Sequence, residues 1–262
     1  MFTPLHRGGS GPPLLCIHGF LDTWRTWELV LPVLERRHEV LAPTLPGHAG
    51  GPPLDRAASG TQLVDALERV LDAAGLESAH VVRNSLGGYL ALQLAARGRA
   101  RSVVALAPAG GWAPRRRGAE ETLAHFASLT ELLEAAAPFA DDIVSTPEGR
   151  RQVTQFITTD YEHIPAELLS HLLRGAALCE VDSLLGYART EGWTLDARRI
   201  DCPIRILWGT DDQVLQWPAA AARYREEWLP NADWVELDDV GHCPQLDVPS
   251  VVAELIVDFT SR

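Results

Sequence analysis

Short apolar runs rich in Val, Ile and Leu alternate along this chain with segments whose apolar residues recur every three or four positions. Strands buried on both faces read as continuous hydrophobic runs, so this alternation predicts a mostly parallel β-sheet with crossover helices on both faces. Strand runs fall at 14–17, 40–42, 80–82, 102–107, 204–208 and 234–237. A helix is expected from about Thr23, with Trp24, Trp27, Val30, Leu31 and Leu34 on its apolar face. A second, from near Ser59 to Ala74, carries Leu63, Ala66, Leu67, Val70 and Leu71 at helical spacing and stops at Gly75. A small-residue helix follows at 89–96, and a terminal one at 248–259. Between about residues 109 and 199 the alternation ceases, and the chain reads as helical with breaks at Pro138, Pro147 and Pro165. The expected organisation is an α/β body, residues 1–109 and 200–262, carrying an inserted helical cap at 110–199. No internal repeat or low-complexity tract is present.

Composition narrows the class. The chain has 262 residues, 46% hydrophobic and 22% charged, which is globular and long enough to bury a core without staples. Cys16, Cys179, Cys202 and Cys243 are far apart and form no CxxC pair, which argues against a zinc knuckle or disulfide framework and fits a reducing cytoplasm. The first residues lack the layout of a signal peptide, and no apolar run is long enough to span a bilayer. A net charge of −12 disfavours nucleic acid as a partner. All 23 basic residues are arginine, which reads as coding bias.

The candidate chemistry sits at strand ends. Ser85 follows the 80–82 run, precedes a helix, and is trailed by Gly87-Gly88. A serine on a sharp strand-to-helix turn exposes its Oγ at the carboxyl edge of the sheet; the alternative is a helix N-cap. Asp211-Asp212 leaves the 204–208 strand, and His242 leaves the 234–237 strand. A serine hydroxyl becomes a nucleophile only beside a base, and the base needs an acid to hold its tautomer. The order Ser, acid, His differs from that of trypsin-like and subtilisin-like enzymes. His18-Gly19-Phe20 follows the first strand run, so the Phe20 and Leu86 N–H groups are the expected oxyanion donors. His18 itself reads as a tie between loops.

His18-Gly19-Phe20, Gly47-His48, Asn84-Ser85-Leu86-Gly87-Gly88, Gly209-x-x-Asp212 and Gly241-His242-x-Pro244 together resemble the α/β-hydrolase superfamily, in particular its small capped esterase, lactonase and C–C hydrolase branches. The resemblance covers nearly the whole chain and implies Ser85, Asp212 and His242 as a cofactor-independent, metal-free triad, with Asp211 a solvated neighbour. It implies a small-molecule acyl substrate: a carboxylic ester, thioester or lactone. Relatives that open epoxides or remove halides use aspartate where Ser85 stands, which disfavours both reactions. Asn84 is similar to the C–C (meta-cleavage-product) hydrolases, the second reading, although Cys243 stands where those enzymes usually have Trp, and Arg150, Arg151 and Arg174 do not match their cap arginine. A non-catalytic binding protein on this fold is the third. Trp112, Phe126, Phe139, Phe156, Tyr161 and Trp193 are candidate pocket walls between sheet and cap, and Arg115-Arg116-Arg117 a local basic cluster. Arg83 departs from the family pattern, which has a small residue there; its side chain is expected to point outward, because a buried arginine is costly. Thr44 stands where relatives often have Asp. Only seventeen residues precede His18, so an abbreviated leading edge of the sheet is expected.

Overall fold

A computed structural model describes residues 1–54, 61–112, 118–190 and 193–262. Its strands are β1 (Leu5–Gly9), β2 (Pro13–Ile17), β3 (Glu39–Pro43), β4 (Ala79–Asn84), β5 (Ala100–Leu106), β6 (Ile204–Gly209) and β7 (Asp233–Leu237). They form one sheet in the order β1-β3-β2-β4-β5-β6-β7, parallel throughout except for β1 against β3. Six of the seven match the hydrophobic runs. The seventh, β1, was not expected from periodicity. It is an edge strand with alternating exposed and half-buried positions, so its sequence LHRGG carries no apolar signature.

Side chains alternate across the sheet and build two cores. On one face Leu15, Ile17, Val81, Ala105 and Ile206 pack against α2 (Gln62–Ala73) and α3 (Leu86–Ala96). On the other, Leu14, Cys16, Val82, Val104 and Leu207 pack against Trp27, α1 (Leu31–Leu34) and the terminal helix. The helix expected from Thr23 is split: a 3-10 turn at Trp24–Trp27, capped by the Thr23 side chain, precedes α1. The start of the Ser59 helix and the cluster Arg115-Arg116-Arg117 lie outside the described residues.

Arg83 overturns its expected orientation. It pairs with Ile17 and Ala105 in register and is fully buried on the α3 side of the sheet. Strand parity places it there, since Val81 two positions earlier faces the same core.

Between β5 and β6 run α4 (Gly118–Ala136), α5 (Ala140–Val144), α6 (Pro147–Thr154), α7 (Ala166–Ala177) and α8 (Val181–Thr190). The chain closes with α9 (Pro244–Asp247) and α10 (Pro249–Thr260). Among the described residues, no helix is long and apolar enough to cross a membrane.

Candidate active site

The connections after β2 and β4 run in opposite directions along the sheet, toward β3 and toward β5. A crevice opens at such a switch point, outside the carboxyl ends of the strands. His18-Gly19-Phe20 leave β2 there and Ser85 leaves β4.

Ser85 has φ 56° and ψ −124°, a conformation costly for a residue with a Cβ, and its side chain makes no cap bond to α3. The helix-cap alternative therefore does not describe this serine. The turn is tight because α3 starts hard against β2: a Cβ on Gly87 would lie 2.5 Å from the His18 carbonyl oxygen. Leu86 is the first residue of α3, so its N–H has no intrahelical acceptor.

The acid and the imidazole meet from neighbouring strands. Asp212 follows β6 and is 2% exposed; its Oδ2 lies 2.7 Å from His242 Nδ1, and its Oδ1 accepts from the Val214 and Leu215 N–H groups at 2.8 and 2.7 Å. The carboxylate is thus fixed from both sides. A Cβ on Gly209 would lie 2.1 Å from the Val240 carbonyl oxygen, so only glycine lets the two loops approach this closely. Asp211, one residue earlier, is exposed.

Three buried side chains hold these loops. Asn84 Nδ2 donates to the His242 carbonyl at 2.9 Å and its Oδ1 accepts from the Cys243 thiol at 3.4 Å, tying the serine turn to the histidine loop. Burial pushes that thiol well above its ordinary range, leaving it unreactive. His18 donates from Nδ1 to the Gly19 carbonyl and accepts the Leu45 N–H at Nε2, so it ties two loops. Burial and the nearby His48 hold its pKa well below the usual value, so it stays neutral. Asp247 in α9 accepts from the N–H groups of Gly241, Thr159 and Asp160 at 2.6, 3.0 and 2.8 Å. It thereby fastens the segment between α6 and α7 to the histidine loop. Sequence reasoning assigned Asn84 only by resemblance and missed Asp247, which carries no periodic signal.

Ser85 opens into two cavities. The larger, about 150 Å³, is lined by Ser85, His242, Asp22, Phe156 and leucines of α4 and α7 such as Leu133 and Leu172. The smaller, about 30 Å³, is lined by Ser85, Leu86, Trp112, Trp193 and Leu184. Phe20 and Phe126 border both, their rings edge-to-face with centroids 4.8 Å apart. Of the six aromatic candidates, four reach a cavity. Phe139 is instead 61% exposed on a 3-10 turn, and Tyr161 packs with Val144, Ile164 and Leu246 in a separate cluster. Both lie near helix breaks, where spacing does not tell inward from outward. The aliphatic lining was not expected; its leucines look like ordinary core spacing. Arg150 and Arg174 are engaged away from the cavities, with the carbonyls of Tyr161, Glu162 and Ile164 and with Asp141.

Against known proteins, the chain matches the model of the alpha/beta hydrolase family over residues 14–255. It is 32% identical over 203 residues to the epoxide hydrolase EphH of Mycobacterium tuberculosis, covering 77% of this chain and 94% of that protein. It is 28% identical over 273 residues to a 2-hydroxymuconate semialdehyde hydrolase of Pseudomonas sp. strain CF600, covering 99% of this chain and 90% of that one. A bacterial membrane phospholipase A superposes with a TM-score of 0.75 at 23% identity, over 98% of this chain and 83% of that one. A seven-stranded sheet built around a strained strand-to-helix serine turn defines the class, and the chain belongs to the alpha/beta hydrolase family. The named relatives span more than one reaction.

Proposed function

We propose that this protein is a serine hydrolase that cleaves a carboxylic ester, thioester or lactone. The observation that carries the reading is the buried Asp212–His242 pair, whose His242 lines one cavity with a strained, uncapped Ser85. His242 accepts the Ser85 proton while Ser85 Oγ attacks the acyl carbon. The oxyanion is stabilised by the Phe20 and Leu86 N–H groups. His242, with Nδ1–H held by Asp212, then protonates the leaving oxygen (sulfur, for a thioester) as its bond to the acyl carbon breaks, and activates water for deacylation. Residues 110–199 act as the cap that encloses the substrate. No cofactor or metal takes part.

Chemistry separates this reading from the reactions named for the relatives. Serine attack on an epoxide carbon gives an alkyl ether, which water does not hydrolyse, so turnover stops; attack on an acyl carbon gives an ester that water cleaves. A semialdehyde acid presents a carboxylate, whereas the described lining of neither cavity contains an arginine and that of the larger contains Asp22. Asn84, which favoured C–C cleavage by resemblance, is occupied by the His242 loop.

The test is fluorophosphonate labelling with mass mapping, alongside p-nitrophenyl ester turnover. One adduct on Ser85, and loss of several orders of magnitude in Ser85→Ala, are expected. Absence of an adduct, or Ser85→Ala retaining more than about a tenth of the activity, overturns the assignment and favours a non-catalytic binding protein.

A further inference from the structure

We propose that Asp22 is a specificity-determining residue that binds a hydroxyl group on the leaving alcohol, inside the arm of the cavity that carries His242. This rests on the reading above that His242 protonates the leaving oxygen. Because His242 lines the larger cavity, the alcohol must depart into that arm, and the acyl group takes the smaller arm beside Leu86, Trp112 and Trp193. The alcohol arm is walled mostly by leucine, valine, isoleucine and phenylalanine side chains, with His125, Asn84 and Cys243 also lining it, and among the described residues lining it Asp22 carries the only carboxyl.

The protein holds that carboxyl in place. Its Oδ1 accepts the Thr23 N–H at 2.7 Å, and the Thr26 hydroxyl lies beside it. Thr26 Oγ1 accepts from Gln245 Nε2 at 3.0 Å, so its single hydroxyl proton is free to turn toward Asp22. Thr26 and Gln245 are both fully buried. Such a chain orients one carboxyl in an apolar wall, with its partial accessibility directed into the cavity. An alkyl group bound there leaves the carboxyl with its protein partners alone, whereas a hydroxyl adds a partner on the cavity side whether the carboxyl is ionised or protonated. Burial also pushes the Asp22 pKa up to about 7, which disfavours the ionised form that an ammonium ligand would need. The substrate class is therefore an ester of a largely apolar alcohol bearing a second hydroxyl.

The experiment uses the full chain and the monoacetates of the isomeric linear hexanediols, with hexyl acetate as the hydroxyl-free partner. Acetate release should show at least one diol ester preferred by about tenfold or more in kcat/KM, as expected for a site left unpaired by the analogue. Asp22→Asn and Asp22→Ala should collapse that ratio, whatever happens to the absolute rates. Calorimetry of the free alcohols on the wild-type protein reads the same preference without catalysis. That binding preference therefore survives if the serine-hydrolase reading fails, and disappears if the Asp22 assignment fails. No hydroxyl preference in the wild type overturns the proposal, as does a preference that persists in both variants. An equal fall in kcat on diol and hexyl esters places Asp22 in control of His242 instead, and a stronger preference for the acetate of an amino alcohol replaces the hydroxyl by a cation; either result overturns it.

Discussion

Asp212 and its neighbour Asp211 present the sharpest contrast in the chain. One carboxylate is buried and receives two backbone N–H groups and the imidazole; the other is exposed. Asp212→Asn puts an amide where His242 needs a proton acceptor, favouring the wrong tautomer. Turnover is expected to fall by about 10²–10⁴-fold, while Asp211→Asn stays within about threefold. Steady-state kinetics of the two variants decide this, and the reverse ranking would mean that the assignment by spacing from Gly209 is mistaken. The spacing was readable because Gly209 ends a buried strand. Arg83 was misjudged at the same scale: cost alone suggested an outward side chain, while its parity with Val81 sent it into the core.

At the scale of elements, α9 matters more than its four residues suggest. Asp247 accepts N–H groups from both the histidine loop and the segment joining α6 to α7, and the Cys243 N–H donates to the Ile157 carbonyl at 2.7 Å. Asp247→Ala leaves three N–H groups without their acceptor. We expect a loss of about 2–4 kcal/mol in urea unfolding, since each stranded group costs roughly 1–3 kcal/mol and water recovers part of it. Hydrogen exchange of residues 157–160 should quicken together with a fall in kcat. Unchanged exchange there would show that the segment is held by its other contacts. The helices between β5 and β6 were legible as helices from spacing and proline breaks, whereas α9 was not. Which face each presents was not, as Phe139 and Tyr161 illustrate.

At the scale of the whole molecule, burial makes stability depend on pH. Desolvation holds His18 well below the usual imidazole value and brings His48 down to about 4. Below pH about 6.5 the unfolded chain takes up protons that these folded imidazoles refuse, so their stability share is full above that pH and falls on acidification. Asp22 acts in the opposite sense: its folded pKa of about 7 makes its share greatest in acid and lost as pH rises through 7. Two fully buried imidazoles outweigh the single carboxyl, so the urea midpoint should be lower at pH 5 than at pH 7. In His48→Gln the difference should shrink by about 1–2 kcal/mol. Equal midpoints at the two pH values would count against these imidazoles being buried neutral.

The amino-acid sequence by itself determined six of the seven strands: the five interior ones because a strand buried on both faces is apolar along most of its length, and the edge strand β7 from its Trp234, Val235 and Leu237. It also determined the order in which serine, acid and histidine leave those strands, because each follows a run that ends at a turn. Only the tertiary structure brought Asp212 to 2.7 Å from the imidazole, since that depends on how closely the loops after β6 and β7 approach. Only it decided that Arg83 is buried, that β1 closes the sheet edge, and that Asn84, Asp22 and Asp247 surround the candidate site. These outcomes depend on contacts between residues far apart in the chain, such as Asn84 with His242 and Asp247 with Thr159. Local periodicity carries no trace of such contacts, because it records which way a side chain faces within its own element and not what it meets there.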